Sequence, residues 1–256
     1  MPTRRSLALL LPLLLALPAA AATPEKRVSR TLPLAAGGTV SVDTYKGSIK
    51  VRTWEKAEVA VSAVVVADEP CDDDAEKVEK TEVVVEGGRN GVTIRTDYDR
   101  LPDSGLFSWH CSSRPLVHYE LSVPRSAGLR IDDYKSETDV RDLDGDIELE
   151  TYKGSVDLAG VTGRLELETY KGDVRVETAL RKDVSVETYK GEVTLTVPKG
   201  AAFDLDARLG RKGHLDSDVA LPRGSRDDDE VQAKVGGGGP LLRLKTYKGE
   251  FRIRTR

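Results

Sequence analysis

The residues best placed to do chemistry belong to a tetrapeptide that recurs along the chain. Thr44-Tyr45-Lys46-Gly47, Thr151-Tyr152-Lys153-Gly154, Thr169-Tyr170-Lys171-Gly172, Thr188-Tyr189-Lys190-Gly191 and Thr246-Tyr247-Lys248-Gly249 are full copies. Asp133-Tyr134-Lys135-Ser136 is a degenerate one. Six of the eight tyrosines fall in these copies, so tyrosine is a motif residue here and not general core filler. Tyr134, Tyr152, Tyr170 and Tyr189 follow one another at intervals of 18, 18 and 19 residues. If successive copies stack, these four rings form one column, with Lys135, Lys153, Lys171 and Lys190 beside them. Two roles suit such a ladder. Stacked tyrosine can staple a bend while lysine keeps the edge in water. Alternatively, a row of aromatic faces flanked by ammonium groups can receive an extended anionic polymer, such as an envelope polysaccharide. Ammonium groups one rung apart repel by about 1 kcal/mol or less per pair in water. Glu150, Glu168 and Glu187, two residues before each tyrosine, are placed to offset this.

Other reactive residue types show no catalytic spacing. His110, His118 and His214 are scattered, with no ligand-like interval. No Gly-x-Ser-x-Gly elbow or phosphate-cradling glycine loop is present. Gly236 to Gly239 is followed by Pro240 and not by a helix, which reads as a crossover. Asp142, Asp144 and Asp146 resemble a calcium loop, but the order of Gly and the missing final Glu do not match one. The sequence therefore assigns no catalytic residue, no metal site and no cofactor. Paired acids of the kind that cleave sugars remain a minor alternative, since acidic residues are abundant and none is singled out.

The elements that carry the motif are strands. Val156 and Leu158 alternate with polar neighbours, as do Leu165 and Leu167, Val174 and Val176, and Val184 and Val186. Strict alternation marks a strand with one buried face. Each period holds two strands of about five residues, one bend at Tyr-Lys-Gly, where Gly permits positive φ, and one looser bend. A return every 18 to 19 residues points to stacked repeats. The expected fold is an all-β parallel β-helix, or β-solenoid, in which equivalent strands stack one period apart. An antiparallel meander is the alternative. The N-terminal half is less regular. It predicts strands over 39–51, 57–66 and 117–123, a short helix N-capped by Asp72 and running to Lys80, and a hairpin around residues 87–91. Arg252, Arg254 and Arg256 would alternate on a final strand, where charge discourages stacking at an open edge.

Residues 1–22 read as a secretory signal peptide: Arg4 and Arg5, an apolar stretch over 7–17, and Ala20-Ala21-Ala22 before the cut. The apolar stretch is shorter than the roughly 20 residues a membrane span needs. Residues 23–256 then form the folded part, with an irregular β region over 23–130 and regular repeats with a closing rung over 131–256. Export to the periplasm, cell surface or exterior makes the two cysteines, Cys71 and Cys111, a candidate disulfide, with two separate buried thiols as the alternative. Loss of Arg4 and Arg5 takes the formal charge from −4 to −6. That acidic, mixed surface argues against nucleic acid as a partner.

The order of these pieces resembles a bacterial domain-of-unknown-function family called "putative adhesin", whose members carry β-strand repeats. Gly38-Thr39-Val40 leads to Gly47-Ser48-Ile49-Lys50-Val51 and Trp54; Tyr119-Glu120-Leu121-Ser122-Val123-Pro124 precedes the repeated strands; Gly236 to Gly239 and Pro240 precede the last repeat. Tyr-Lys-Gly departs from the small polar residues usual at the family's bends, so the bend surface is particular to this chain. The resemblance implies a non-enzymatic β-solenoid of the cell envelope that works as an adhesin or binding module. An envelope-stress or scaffold protein contacting another protein is the alternative, and a polysaccharide-degrading enzyme the less favoured third. The expected partners are envelope polysaccharide or another envelope protein.

Overall fold

The computed structural model describes residues 23–70, 72–101, 113–222, 226–227 and 229–256. The segment read as a signal peptide and both cysteines lie outside the described residues, as does His110. In chain order the elements are β1 (Glu25–Pro33), β2 (Thr39–Trp54), β3 (Glu58–Val66), α1 (Asp74–Lys80), β4 (Glu82–Gly88), β5 (Gly91–Asp97), β6 (Leu116–Pro124), β7 (Gly128–Arg141), β8 (Ile147–Thr151) and β9 (Ser155–Val161). There follow β10 (Leu165–Lys171), β11 (Val174–Thr178), β12 (Val184–Lys190), β13 (Glu192–Val197), β14 (Phe203–Arg208), β15 (His214–Ser217), β16 (Arg226–Asp227), β17 (Glu230–Val235), β18 (Leu241–Thr246) and β19 (Glu250–Thr255). Apart from the short α1, every regular element among the described residues is a strand.

Parallel pairs build two ladders. One runs β5, β2, β7, β8, β10, β12, β18, β14. The other runs β6, β2, β7, β9, β11, β13, β19, β15. β2 and β7 belong to both because each continues through the Tyr-Lys bend without a break. Antiparallel strands cover the ends: β4 on β5, β3 and then β1 on β6, and β17 on β14. The hairpin expected around residues 87–91 is the β4–β5 pair.

Register makes the core. Leu165 lies between Ile147 and Val184, and Val174 between Val156 and Val193. The eight residues whose alternation marks the inward face, Val156, Leu158, Leu165, Leu167, Val174, Val176, Val184 and Val186, are all at most 2% exposed. They join one continuous core cluster with Leu34, Tyr119, Phe203 and Phe251. Each such side chain contributes about 1.5–3 kcal/mol on burial, which only the neighbouring rungs can supply.

Three local expectations need correction. First, spatial order departs from chain order at both ends. β2 sits between β7 and the β5/β6 rung, and β18 and β19 sit between the β12/β13 rung and the β14/β15 rung. The final strand is thus interior, and its arginines do not guard an open edge. Arg252 pairs with Glu192 and with Glu250, Arg254 with Asp216 and Asp218, and Arg256 with Glu177. Second, the bend glycines serve stacking. Of the motif glycines only Gly47 has positive φ, at 142°. A Cβ on Gly172 would stand 1.8 Å from the carbonyl oxygen of Gly154, and one on Gly191 2.1 Å from that of Gly172. Rungs approach too closely at the bend to admit a side chain. Third, α1 is preceded by Asp73 as its N-cap residue and not by Asp72, without a side-chain cap bond; Asp73 instead pairs with Lys77 at 3.0 Å.

Candidate binding groove

The bend is built from its threonine outward. Thr44, Asp133, Thr151, Thr169, Thr188 and Thr246 occupy one buried column. Thr151 Oγ1 accepts a hydrogen bond from Gly154 N–H at 3.0 Å, and Thr246 Oγ1 one from Gly249 N–H at 2.7 Å. Asp133 does the same work in the degenerate copy, its Oδ2 accepting from Ser136 N–H at 2.6 Å. In these three copies the motif's first residue is therefore a turn cap three residues ahead of the bend's last residue, whereas Thr44 shares its hydroxyl with Thr96 at 2.8 Å. The Thr-x-x-Gly spacing is the sequence signal for this role.

With the bend fixed, the next residue points outward and the rings stack. The column holds six tyrosines, two more than the central spacing predicts: Tyr45, Tyr134, Tyr152, Tyr170, Tyr189 and Tyr247. Successive centroids lie 4.8, 5.1, 4.7, 4.9 and 5.3 Å apart, with ring planes within 16° of parallel. Tyr45 and Tyr247 carry the same motif, which was the signal for their place. Tyr98 meets the first ring edge-on at 6.3 Å, and the Arg114 guanidinium lies 4.7 Å from the same ring centroid. Face-to-face stacking has a consequence for recognition. The interior rings spend their faces on one another, so what they offer solvent is edges and hydroxyls.

The four predicted lysines do follow the rings, and the two flanks of the stack differ in sign. On one side run Lys46, Lys135, Lys153, Lys171, Lys190 and Lys248. Lys46 pairs with Asp68, and Lys153 Nζ lies 3.4 Å from the Tyr134 hydroxyl, donating to it. Lys153 and Lys248 Nζ lie 5.0–5.6 Å from the centroids of the two nearest rings. On the other side Asp132, Glu150, Glu168 and Glu187 are successive register partners. These acids were expected to offset the lysines. They stand instead on the opposite flank, and Glu187 pairs with Lys245 at 2.6 Å.

Between the carboxylates and the rings runs a groove of about 760 Å³, lined by Tyr134 through Tyr247, the threonine column and the acids, with Arg208 and Lys245 at one end. Its floor contains Asp133, whose pKa burial pushes up to about 6 against the pull of its hydrogen bonds to Thr151 and Ser136. Asp43, in register with Asp132, is also raised, first by burial and then by that like charge, with Arg95 opposing. A smaller groove of about 540 Å³ lies on the lysine side, lined by Lys46, Lys135 and Lys153 together with Asp68, His118 and Glu137. His118 there shares a 2.8 Å hydrogen bond with Ser48. The Asp142–Asp146 turn holds no ligand set: Asp144 pairs with Arg125, and Asp146 accepts from Arg164 N–H. Among the described residues no three His, Cys, Asp or Glu side chains gather as for a metal, and no helix is long and apolar enough to cross a membrane.

The family described as Toastrack DUF4097 matches residues 124–254, just over half of the chain. No curated protein matches it. A crystal structure described as a "putative cell adhesion protein" from Clostridium sporogenes is similar over 90% of this chain and 100% of that one, with TM-score 0.51 and 11% identity. A "putative adhesin" from Bacteroides fragilis covers 90% of this chain and 97% of its own, with TM-score 0.30 and 10% identity. A "putative lipid binding protein" from Parabacteroides distasonis covers 90% and 96%, with TM-score 0.29 and 14% identity. At these identities the first likeness speaks to fold alone.

Proposed function

The chain belongs to the Toastrack DUF4097 family, and from that premise we propose that it is an exported, non-enzymatic binding module of the cell envelope. Its central rungs form a parallel β-helix of 18 to 19 residues each, and the groove beside the tyrosine stack is its binding surface. One observation carries the reading. Six tyrosines stack in a single file and keep a groove open along the rungs, where a purely structural bend would need no cavity. A groove of repeating walls suits an extended, chain-like molecule that meets the same chemistry at every rung. The proposed disulfide between Cys71 and Cys111 would close a loop of about forty residues, and is worth roughly 3–4 kcal/mol by chain entropy.

The similarity to a solved structure described as a cell adhesion protein agrees with a binding role. A scaffold that contacts another envelope protein through the same groove is the second reading, favoured by the exposed tyrosines Tyr152, Tyr170, Tyr189 and Tyr247. Stacking of sugar rings on tyrosine faces, one way to hold a polysaccharide, finds no free face between the rings or at the Tyr45 end, which Arg114 covers.

The test compares two triple variants with wild type for salt-sensitive association with purified envelope material. One variant changes Lys153, Lys171 and Lys190 to Gln. The other changes Glu150, Glu168 and Glu187 to Gln. Association of wild type that weakens in one variant supports the groove and identifies its working flank. No association of wild type, or equal binding by both variants, removes the tyrosine corner from the function.

A further inference from the structure

The tyrosine stack ends differently at its two ends. At the first, the chain closes it. The Arg114 guanidinium lies 4.7 Å from the Tyr45 ring centroid, and Tyr98 meets the same ring edge-on. At the last, one more rung follows, but it carries no ring. Arg208 is the register partner of Lys245, which brings Gly210 beside Tyr247. A Cβ on Gly210 would stand 3.3 Å from the Tyr247 Cα, and its φ of +57° is one that side chains rarely adopt. Where a seventh ring would stack there is a notch. Tyr247 is 49% exposed, against 37% for Tyr189, on which it stacks. Lys248 Nζ lies 5.5 Å from the Tyr247 centroid and 5.6 Å from that of Tyr189, so it rides the seam between the two rings and leaves the outer face clear. Among the described residues no other ring or cation lies on that face.

A second, independent change coincides with the notch. The column that flanks the rings is acidic at Asp43, Asp132, Glu150, Glu168 and Glu187. It then turns basic, with Lys245 on the Tyr247 rung and Arg208 on the Gly210 rung. Lys245 pairs with Glu187 and Arg208 with Asp206, and Glu230 is the register partner of Arg208 on its other side. Arg211 and Lys212, which follow Gly210, are exposed, and among the described residues neither is in an ion pair. The groove opens onto this end, lined there by Tyr247, Gly210, Lys245 and Arg208.

Face and surroundings together narrow the occupant. The face of a phenol ring carries partial negative charge, and takes a cation, another aromatic ring or the polarised C–H face of a sugar. A cation is opposed by the basic residues around the notch. An aromatic ring has nothing at its rim for the groove, where Glu150 and Glu168 only accept hydrogen bonds. A pyranose has hydroxyls to donate there, and an acidic one also brings a carboxylate to the bases.

We propose that the Tyr247 end of the groove is a subsite for a uronic acid residue of a saccharide, its pyranose on the outer face of Tyr247 and its carboxylate toward Arg211 and Lys212. The proposal rests on the reading of the tyrosine corner as a binding surface and names the chemistry of its open ring. It also sets a direction: the acidic sugar occupies this end, and hydroxyls, not further carboxylates, meet the acid wall.

Titration of the purified protein followed by proton NMR tests it, with methyl β-glucuronide and methyl β-glucoside as probes. The two differ only in a carboxylate against a hydroxymethyl group. The glucuronide is expected to bind about tenfold tighter, with its ring protons shifted upfield by the tyrosine face. Tyr247→Ala, checked for an unchanged circular dichroism spectrum, should abolish the binding and the upfield shift. Tyr45→Ala, at the closed end, should change neither. The double variant Arg211→Gln, Lys212→Gln should lose most of the preference for the glucuronide and bind the glucoside as before. Equal binding of the two glycosides by wild type, binding undiminished in Tyr247→Ala, a preference kept in full by the double variant, or no binding of the glucuronide overturns the proposal. So does benzoate that binds as tightly as the glucuronide, which would make the notch a site for aromatic acids, or a dimer that Tyr247→Ala dissolves, which would seat a second copy there. If the glucuronide fails while envelope material still associates through the tyrosine corner, the uronic acid assignment falls and the groove remains. If both fail, the groove reading falls with it.

Discussion

The two flanks of the tyrosine stack pose the same electrostatic problem and solve it differently. Each carries a file of like charges one rung apart, hung on the same bends. On the lysine flank the charge sits at the end of a four-carbon arm. Lys46 swings to Asp68, while Lys153 and Lys248 lean back toward the rings and hydroxyls. Long arms let ammonium groups spread and stay hydrated. On the acid flank the arms are short, and Asp132, Glu150 and Glu168 remain side by side above a floor with unpartnered oxygens. Repulsion that a fold can relieve is a solubility device.

The largest expected effect comes from breaking the bend on which both flanks hang. Gly172→Ala forces a Cβ against the Gly154 carbonyl, which is backbone and cannot step aside. It should cost about 3 kcal/mol or more, read as a fall in the urea midpoint. Gly88→Ala, with nothing within 4 Å of the added carbon, is the control and should stay within about 0.5 kcal/mol. Equal, small losses at both sites would mean that the rungs do not stack as closely as described.

Next in size is the floor of the acid flank, which has no counterpart under the lysines. The folded pKa of Asp133, about 6, lies above its ordinary 3.8. For an acid the sign follows directly. Between pH 4 and 6 the folded state holds the proton more tightly than the unfolded state, so stability falls as pH rises through that window. A shift of about two units amounts to roughly 3 kcal/mol above pH 6. Asp133→Thr restores the residue used in the other rungs. It should raise the melting temperature at pH 8, do little at pH 4, and flatten the profile between them. A variant no more stable than wild type at pH 8 would show that the carboxylate carries no burial penalty.

The smallest effect separates the flanks themselves. Glu168→Gln relieves repulsion with its register neighbours Glu150 and Glu187 and should stabilise the protein by a few tenths of a kcal/mol at low salt, an effect that fades at high salt. Lys171→Gln should change stability less, because its ammonium group is free to move away. Paired denaturation curves at two salt concentrations would show it; a larger gain from the lysine change would invert the comparison.

Much of this architecture was legible in the residues, and the exceptions have physical causes. Alternation at Val156, Leu158, Leu165 and Leu167 gave the buried face because a strand's period is two. The interval between tyrosines gave the rung. What alternation cannot encode is which rung lies next to which. Every Tyr-Lys-Gly copy presents the same register, so β18 and β19 fit beside β12 and β13 as well as the chain-adjacent β14 and β15 do. The last copy takes that place and adds Tyr247 to the stack. The bend glycines were assigned to backbone freedom, whereas their cause is a carbonyl on the next rung, a contact between residues eighteen apart that no local pattern displays. The acids were matched to the lysines by sequence proximity. In a strand, residues three apart face opposite ways, and the bend carries them to opposite flanks.

The most direct test of the central claim is hydrogen–deuterium exchange of the protein with and without purified envelope material. Binding along the groove predicts slower exchange confined to residues 132–135, 150–153, 168–171 and 187–190, which repeat at the rung spacing on the tyrosine corner. Protection at β1, β4 or β15 with none at the corner would place the partner at the ends of the sheet and contradict the account.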